Sequence, residues 1–165
     1  MAVLDGGLSA WRQAELPLTA ELPVARSATF EARPDDWQWL TTARVQALTK
    51  DDLLVDARAA ARYRGEMEPI DPVAGHIPGA VNLPTEDNLV ADGHFRPVAE
   101  LRARFLAVLE GRAPTAVAHS CGSGVTACHN LLAMEAAGLS GSRLYAGSWS
   151  EWIRDPSRPV ATGAA

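Results

Sequence analysis

At 165 residues, with 47% hydrophobic and 21% charged side chains, the chain is long enough for one well-cored domain and has the composition of a soluble globular protein. No apolar run approaches the roughly 20 residues of a membrane span, and no basic stretch followed by an apolar core opens the sequence. The expectation is a cytoplasmic protein that does not engage membranes. A net charge of −5 without a basic stripe argues against a nucleic-acid partner.

In chain order, residues 3–16 read as strand, turn and helix: a short apolar run, the pair Gly6-Gly7, then Trp11, an aromatic that calls for burial. Residues 15–34 carry three prolines and no helical periodicity, so they are expected to be a linker with one extended segment. Helical patterning runs from about Trp37 to Leu48. "DLLVDAR" (52–58) is a short apolar run ending in an acid, as in a buried parallel strand, and the short helix "AAARYRG" (59–65) follows. Residues 66–79 hold three prolines and two glycines and must be loop. "AVNLP" (80–84) is the next strand. "VAELRARFLAVLEG" (98–111) puts Val98, Leu101, Phe105, Val108 and Leu109 on one helical face, with Gly111 as its cap. "TAVAHS" (115–120) is another strand, "GVTACHNLLAMEAAGL" (124–139) another helix, and "RLYAG" with "SWSEWIRD" complete the alternation. Strands alternating with helices imply a layered α/β domain with a mainly parallel sheet.

Functional groups in such sheets gather where strand carboxyl ends meet helix N-termini. That singles out Cys121-Gly122-Ser123-Gly124-Val125-Thr126, between a strand and a helix. Two glycines in four residues let successive N–H groups point inward as an anion nest, and the helix adds its partial positive end. A cysteine at the mouth of such a nest is expected to be partly thiolate at neutral pH. The cradle suits either phosphoester hydrolysis or sulfur transfer. A tyrosine phosphatase needs an arginine six residues after the cysteine to grip the phosphoryl oxygens; here that position is Ala127, so the phosphatase reading is poor. The two cysteines, Cys121 and Cys128, make no disulfide framework, and neither stands in metal-ligand spacing. Cys128, two turns further on in an apolar helix, is expected to pack in the core.

"CGSGVTAC", "GHIPGAVNLP", "LLVDARAAARYRG" and "GSWSEW" together resemble the second, catalytic domain of two-domain sulfurtransferases of the rhodanese family, over about residues 29–160. The resemblance implies a three-layer α/β/α domain with a mainly parallel central sheet. It also implies that Cys121 takes a sulfane sulfur as a persulfide, cradled by the N–H groups of Gly122, Ser123, Gly124, Val125 and Thr126. No metal or organic cofactor is implied. The donor would be thiosulfate or 3-mercaptopyruvate, and the acceptor a thiol, thioredoxin or cyanide. Gly122 and Ser123 are similar to the mercaptopyruvate type, which lacks the cations that thiosulfate enzymes place there. Arg62 matches the family arginine that reaches toward the substrate anion. One departure stands out: where mercaptopyruvate enzymes carry a second arginine in "EPR", this chain has "EPID", with Ile70 and Asp71. Loss of that clamp should weaken carboxylate binding by about 1.5–3 kcal/mol. Asp56 and His76 read as structural, His119 as packed, and Trp149 and Trp152 as core.

"LDGGLSAW" (4–11) and "YAGSWSEW" (145–152) match in turn, serine and final tryptophan at an offset of 141 residues. The implied organisation is the remnant of a first rhodanese-like domain at 1–14, a linker at 15–34 and the catalytic domain at 35–165. An orphaned segment of this kind is expected to be loosely ordered or docked on another surface, that of a second copy included. The alternative to an enzyme is an inactive or partner-binding rhodanese-like module, since residues of a first domain would help to close the site.

Overall fold

The computed structural model describes residues 2–24 and 27–164. Met1, the linker residues Ala25 and Arg26, and Ala165 at the end of the expected catalytic domain lie outside them. Four strands form one parallel sheet: β1 (Leu53–Asp56), β2 (Val81–Asn82), β3 (Val117–Ser120) and β4 (Arg143–Leu144), in the order β2-β1-β3-β4. All four residues of β1 and of β3 are buried, as expected when both faces of a parallel sheet are covered.

The two-residue period of the strands sorts their side chains into two cores. Leu53, Val55 and Val117 point to one face, against Leu101, Phe105 and Leu109 of α4 (Val98–Leu109) and Ala133 and Met134 of α5 (Val125–Ala136). Leu54 and Ala118 point to the other, against Val45, Tyr63, Trp149 and Trp152. Those four come from α2 (Thr42–Gln46), α3 (Ala60–Tyr63) and α6 (Ser148–Trp152). The result is the expected α/β/α sandwich.

Several elements are shorter than their patterns suggest. The helix expected from Trp37 begins only at Thr42, because the Thr41 side chain accepts from the Arg44 N–H and caps it. Ahead of it the chain is extended beside β4, with the Leu40 N–H donating to the Leu144 carbonyl at 2.7 Å. In α4, Leu101, Phe105 and Leu109 are buried but Val98 is exposed, since it opens the first turn. Its cap is Glu110, at φ 49°, followed by Gly111 at 85°. For α5 the expected glycine does the work: Gly138 sits at φ 69° and the Leu139 N–H reaches back to Met134.

The expected strand at the beginning of the chain is absent, because no sheet edge lies beside it. Only the helix forms, α1 (Gly7–Gln13), and none of its residues is buried. This segment docks on the chain's own 92–95 turn, where Asp5 accepts from the Phe95 N–H at 2.9 Å. His94 in that turn is held above its ordinary pKa, first by its hydrogen bond to Asp92 and then by the charges of Asp92 and Asp5. No helix among the described residues is long and apolar enough to cross a membrane.

His119 is packed in β3 as expected, with Nε2 3.2 Å from the Met134 sulfur and no partner for Nδ1 among the described residues. Burial pulls its pKa down to about 3, so it folds neutral. An unfolded histidine titrates near 6.5, so stability is full above that pH and drains as pH falls toward 3. Urea unfolding should show a loss of about 2 kcal/mol from this group between pH 7 and pH 5, and His119→Gln should remove that part of the pH dependence.

Candidate active site

The loop after β3 closes through a small number of backbone bonds. Gly124 turns the chain into α5 at φ 84°, and its N–H donates to the Cys121 Sγ at 3.1 Å. A side chain there is impossible without rearrangement: a Cβ would lie 2.5 Å from the Ala146 carbonyl oxygen, in the turn before α6. On the other side, the Cys121 N–H donates to the Ser148 Oγ at 3.0 Å, and that hydroxyl donates to the Tyr145 carbonyl at 2.8 Å. The Trp149 and Ser150 N–H groups donate to the carbonyls of Cys121 and Gly122 at 3.0 and 2.9 Å. The first turn of α6 therefore grips both peptide groups beside the cysteine.

Ser148 makes that grip from the left-handed region, at φ 52°, a conformation that costs a side chain about 1–2 kcal/mol. Gly7, its counterpart at the offset of 141, opens α1 at φ 57°. The residues before them differ, Gly6 at φ 76° and Gly147 at φ −63°.

Cys121 is only 2% exposed, while Ser123, Val125 and Thr126 are open to solvent. The sulfur lies at the floor of the loop rather than at its mouth. The first N–H groups of α5 have no partner within the helix, and the Gly124 N–H is the one that donates to the sulfur.

Arg62 reaches this loop from α3, as expected: a Cβ on Gly122 would stand 3.6 and 3.7 Å from its Nη1 and Nη2. It arrives already paired. Its Nε and Nη2 donate to Glu68, the latter at 2.7 Å, and Nη2 also donates to Asp71 at 3.1 Å. Asp71 in turn accepts from the Ser150 hydroxyl at 2.8 Å. Behind this pair, Arg58 is almost wholly buried between Asp56 at 2.6 Å and Glu68 at 3.4 Å, donates to the Gly75 carbonyl and lies over the Trp149 ring. Burial would raise the Glu68 pKa, but hydrogen bonds from Arg62 and from the N–H groups of Asp71 and Ile70, with the Arg62 charge, hold it below the usual carboxylate value.

The sequence-selected residues Arg62 and Cys121 to Thr126 are therefore brought together, and Asp56 is structural as expected. His76 stacks on Tyr63 and bonds to its carbonyl; Trp149 and Trp152 are core. Cys128 corrects its expectation. It is exposed on the solvent face of α5, with its thiol donating to the Gly124 carbonyl at 3.3 Å, because Ala127, Asn130 and Ala133 take the inward positions. Arg58, Glu68, Ser148 and Ser150 went unselected. For the first two, a signal existed in acids at 68 and 71 of a proline-rich loop following arginines at 58 and 62. Among the described residues, no cluster of histidine, cysteine or carboxylates is placed to hold a metal. A cavity of about 750 Å³ opens at the far end of β1, beside Leu53, Ile77 and Trp152, and does not include Cys121.

The rhodanese-like domain model matches residues 41–155. The chain belongs to the rhodanese-like family. A Pseudomonas aeruginosa protein assigned as a 3-mercaptopyruvate sulfurtransferase is 55% identical over 163 residues, 98% of this chain and 57% of that protein. The thiosulfate sulfurtransferase of Gallus gallus is 35% identical over 157 residues, 93% of this chain and 52% of that protein. This rhodanese-like chain thus spans little more than half the length of these relatives. Its fold is also similar to a solved structure of the anaerobic ergothioneine biosynthesis enzyme from Chlorobium limicola, with a TM-score of 0.85 at 24% identity, over 98% of this chain and 41% of that one.

Replacing Gly124 with alanine should cost at least about 2 kcal/mol in urea unfolding, the sum of a left-handed backbone penalty and a clash with Ala146.

Proposed function

We propose that this rhodanese-like domain is a sulfurtransferase that carries a sulfane sulfur on Cys121. The observation that carries the reading is the Cys121 sulfur on the floor of the loop, with the Gly124 N–H aimed at it at 3.1 Å and the amino end of α5 behind it. An amide donor fixed by backbone geometry is already in place when charge moves between sulfur atoms during transfer. The sulfurtransferase names of relatives at 55% and 35% identity support the same chemistry.

In the first half-reaction the Cys121 thiolate attacks the transferable sulfur of a small anionic donor, the outer sulfur of thiosulfate or the thiol sulfur of 3-mercaptopyruvate. With thiosulfate, the S–S bond breaks and sulfite leaves. With 3-mercaptopyruvate, the C–S bond breaks, the thiol proton ends on carbon and pyruvate leaves. In the second half-reaction a thiol, thioredoxin or cyanide attacks the outer sulfur of the persulfide and returns Cys121 as thiolate. Arg62, the cation nearest Gly122, is the group that would meet the donor's negative charge. No metal or organic cofactor enters either step.

The reading includes the expected organisation, with the remnant of a first such domain at 1–14 and a linker at 15–34. The lack of any buried residue in α1 supports it.

Incubation with thiosulfate or 3-mercaptopyruvate should add the mass of one sulfur atom to the protein, and cyanide should then remove it as thiocyanate. Cys121→Ser should abolish both signals, whereas Cys128→Ser should leave both in place. A wild-type protein that gains no sulfur from either donor would refute the assignment.

A further inference from the structure

The charged wall beside the cradle suggests how donors are chosen. Three carboxylates, Asp56, Glu68 and Asp71, face two guanidiniums, Arg58 and Arg62, so the connected network is one charge negative. Of the Arg62 nitrogens, Nε and Nη2 are taken by carboxylates, and among the described residues only Nη1 is left without one, 3.6 Å from where a Gly122 Cβ would stand. The Asp71 Oδ2 stands 4.0 Å from that same point. An incoming anion at Gly122 therefore meets a carboxylate beside the guanidinium that should receive it.

We propose that Asp71 is a specificity-determining positioning residue, which occupies Arg62 and disfavours anionic sulfur donors in proportion to their charge. The inference rests on the sulfur-carrier reading of Cys121. Its geometry is that of a side chain with two anchors: Oδ2 accepts from Arg62 and Oδ1 from the Ser150 hydroxyl. A donor anion that takes Nη1 sits beside this carboxylate, and one that also engages Nη2 must displace the first contact. Thiosulfate, a dianion, meets this obstacle more strongly than 3-mercaptopyruvate, a monoanion. Glu68 keeps Arg62 aimed at the loop throughout, because it holds two of the guanidinium nitrogens.

Steady-state kinetics of Asp71→Asn test this directly. The KM for thiosulfate should fall about tenfold and that for 3-mercaptopyruvate less, with kcat changed by no more than about twofold. Asp71→Glu should restore the wild-type KM values, which a purely structural role would not predict. Asp71→Ser serves as a second charge-free variant if asparagine does not fold. In a Cys121→Ser background, calorimetric titration with thiosulfate reads binding alone, and Asp71→Asn should tighten it by a similar factor. Tighter binding without turnover in the active-cysteine protein would defeat the sulfur-carrier reading and leave the role of Asp71 standing. Turnover with unchanged or raised KM in Asp71→Asn, or equal effects on both donors, would overturn the inference.

Discussion

Buried charge organises this domain. Arg58 has almost no exposed side-chain surface, and an isolated guanidinium in that position would be prohibitive. It is tolerated because Asp56, at the end of β1, meets it with two oxygens while Glu68 and the Gly75 carbonyl take further donors. Satisfying one arginine thus fixes three stretches of chain: the end of a core strand, the proline-rich loop that follows α3 and the wall formed by Trp149 in α6. Removing one partner of such a pair typically costs about 3–5 kcal/mol, because the other charge is left buried alone. Arg62 is the outer member of the same network through Glu68, so its aim at the loop is a consequence of how the buried pair is satisfied.

The layered fold was legible because each level of the sequence said the same thing. Leu53, Leu54 and Val55 are apolar on both faces, as a strand covered on both sides requires, and the helices that cover it show Leu101, Phe105 and Leu109 at helical spacing. The cradle was legible for a different reason: Gly124 in a strand-to-helix turn has a conformational meaning that needs no tertiary information. Element lengths were not, since Trp37 to Leu40 read as helix but are claimed by pairing with Leu144, a partner more than 100 residues away. Tertiary contact overrides a local pattern most easily where the pattern is short.

The missed residues share a property. Ser148 and Ser150 act through a hydroxyl whose partner is distant in sequence, and Glu68 lies in a loop without periodicity. Nothing in the neighbours of the two serines announces such a role. Cys128 failed in the opposite direction: the helix around it is apolar in composition, but exposure follows position on the helix, and its position faces out. The expected cation is lacking after "EP", where Ile70 stands, and the neighbouring Asp71 links Arg62 to Ser150.

The contact between Gly124 and the Ala146 carbonyl has a consequence for how this site can change. The floor beneath the sulfur is made of main chain, locked between a glycine with no room for a side chain and a helix turn that holds the peptides on both sides of the cysteine. The rim is made of side chains alone, carried on a loop and on α3. Mutation can therefore redraw the rim one residue at a time, while any change to the floor disturbs several hydrogen bonds together. A scaffold divided in this way can keep its chemistry constant and let its choice of substrate drift.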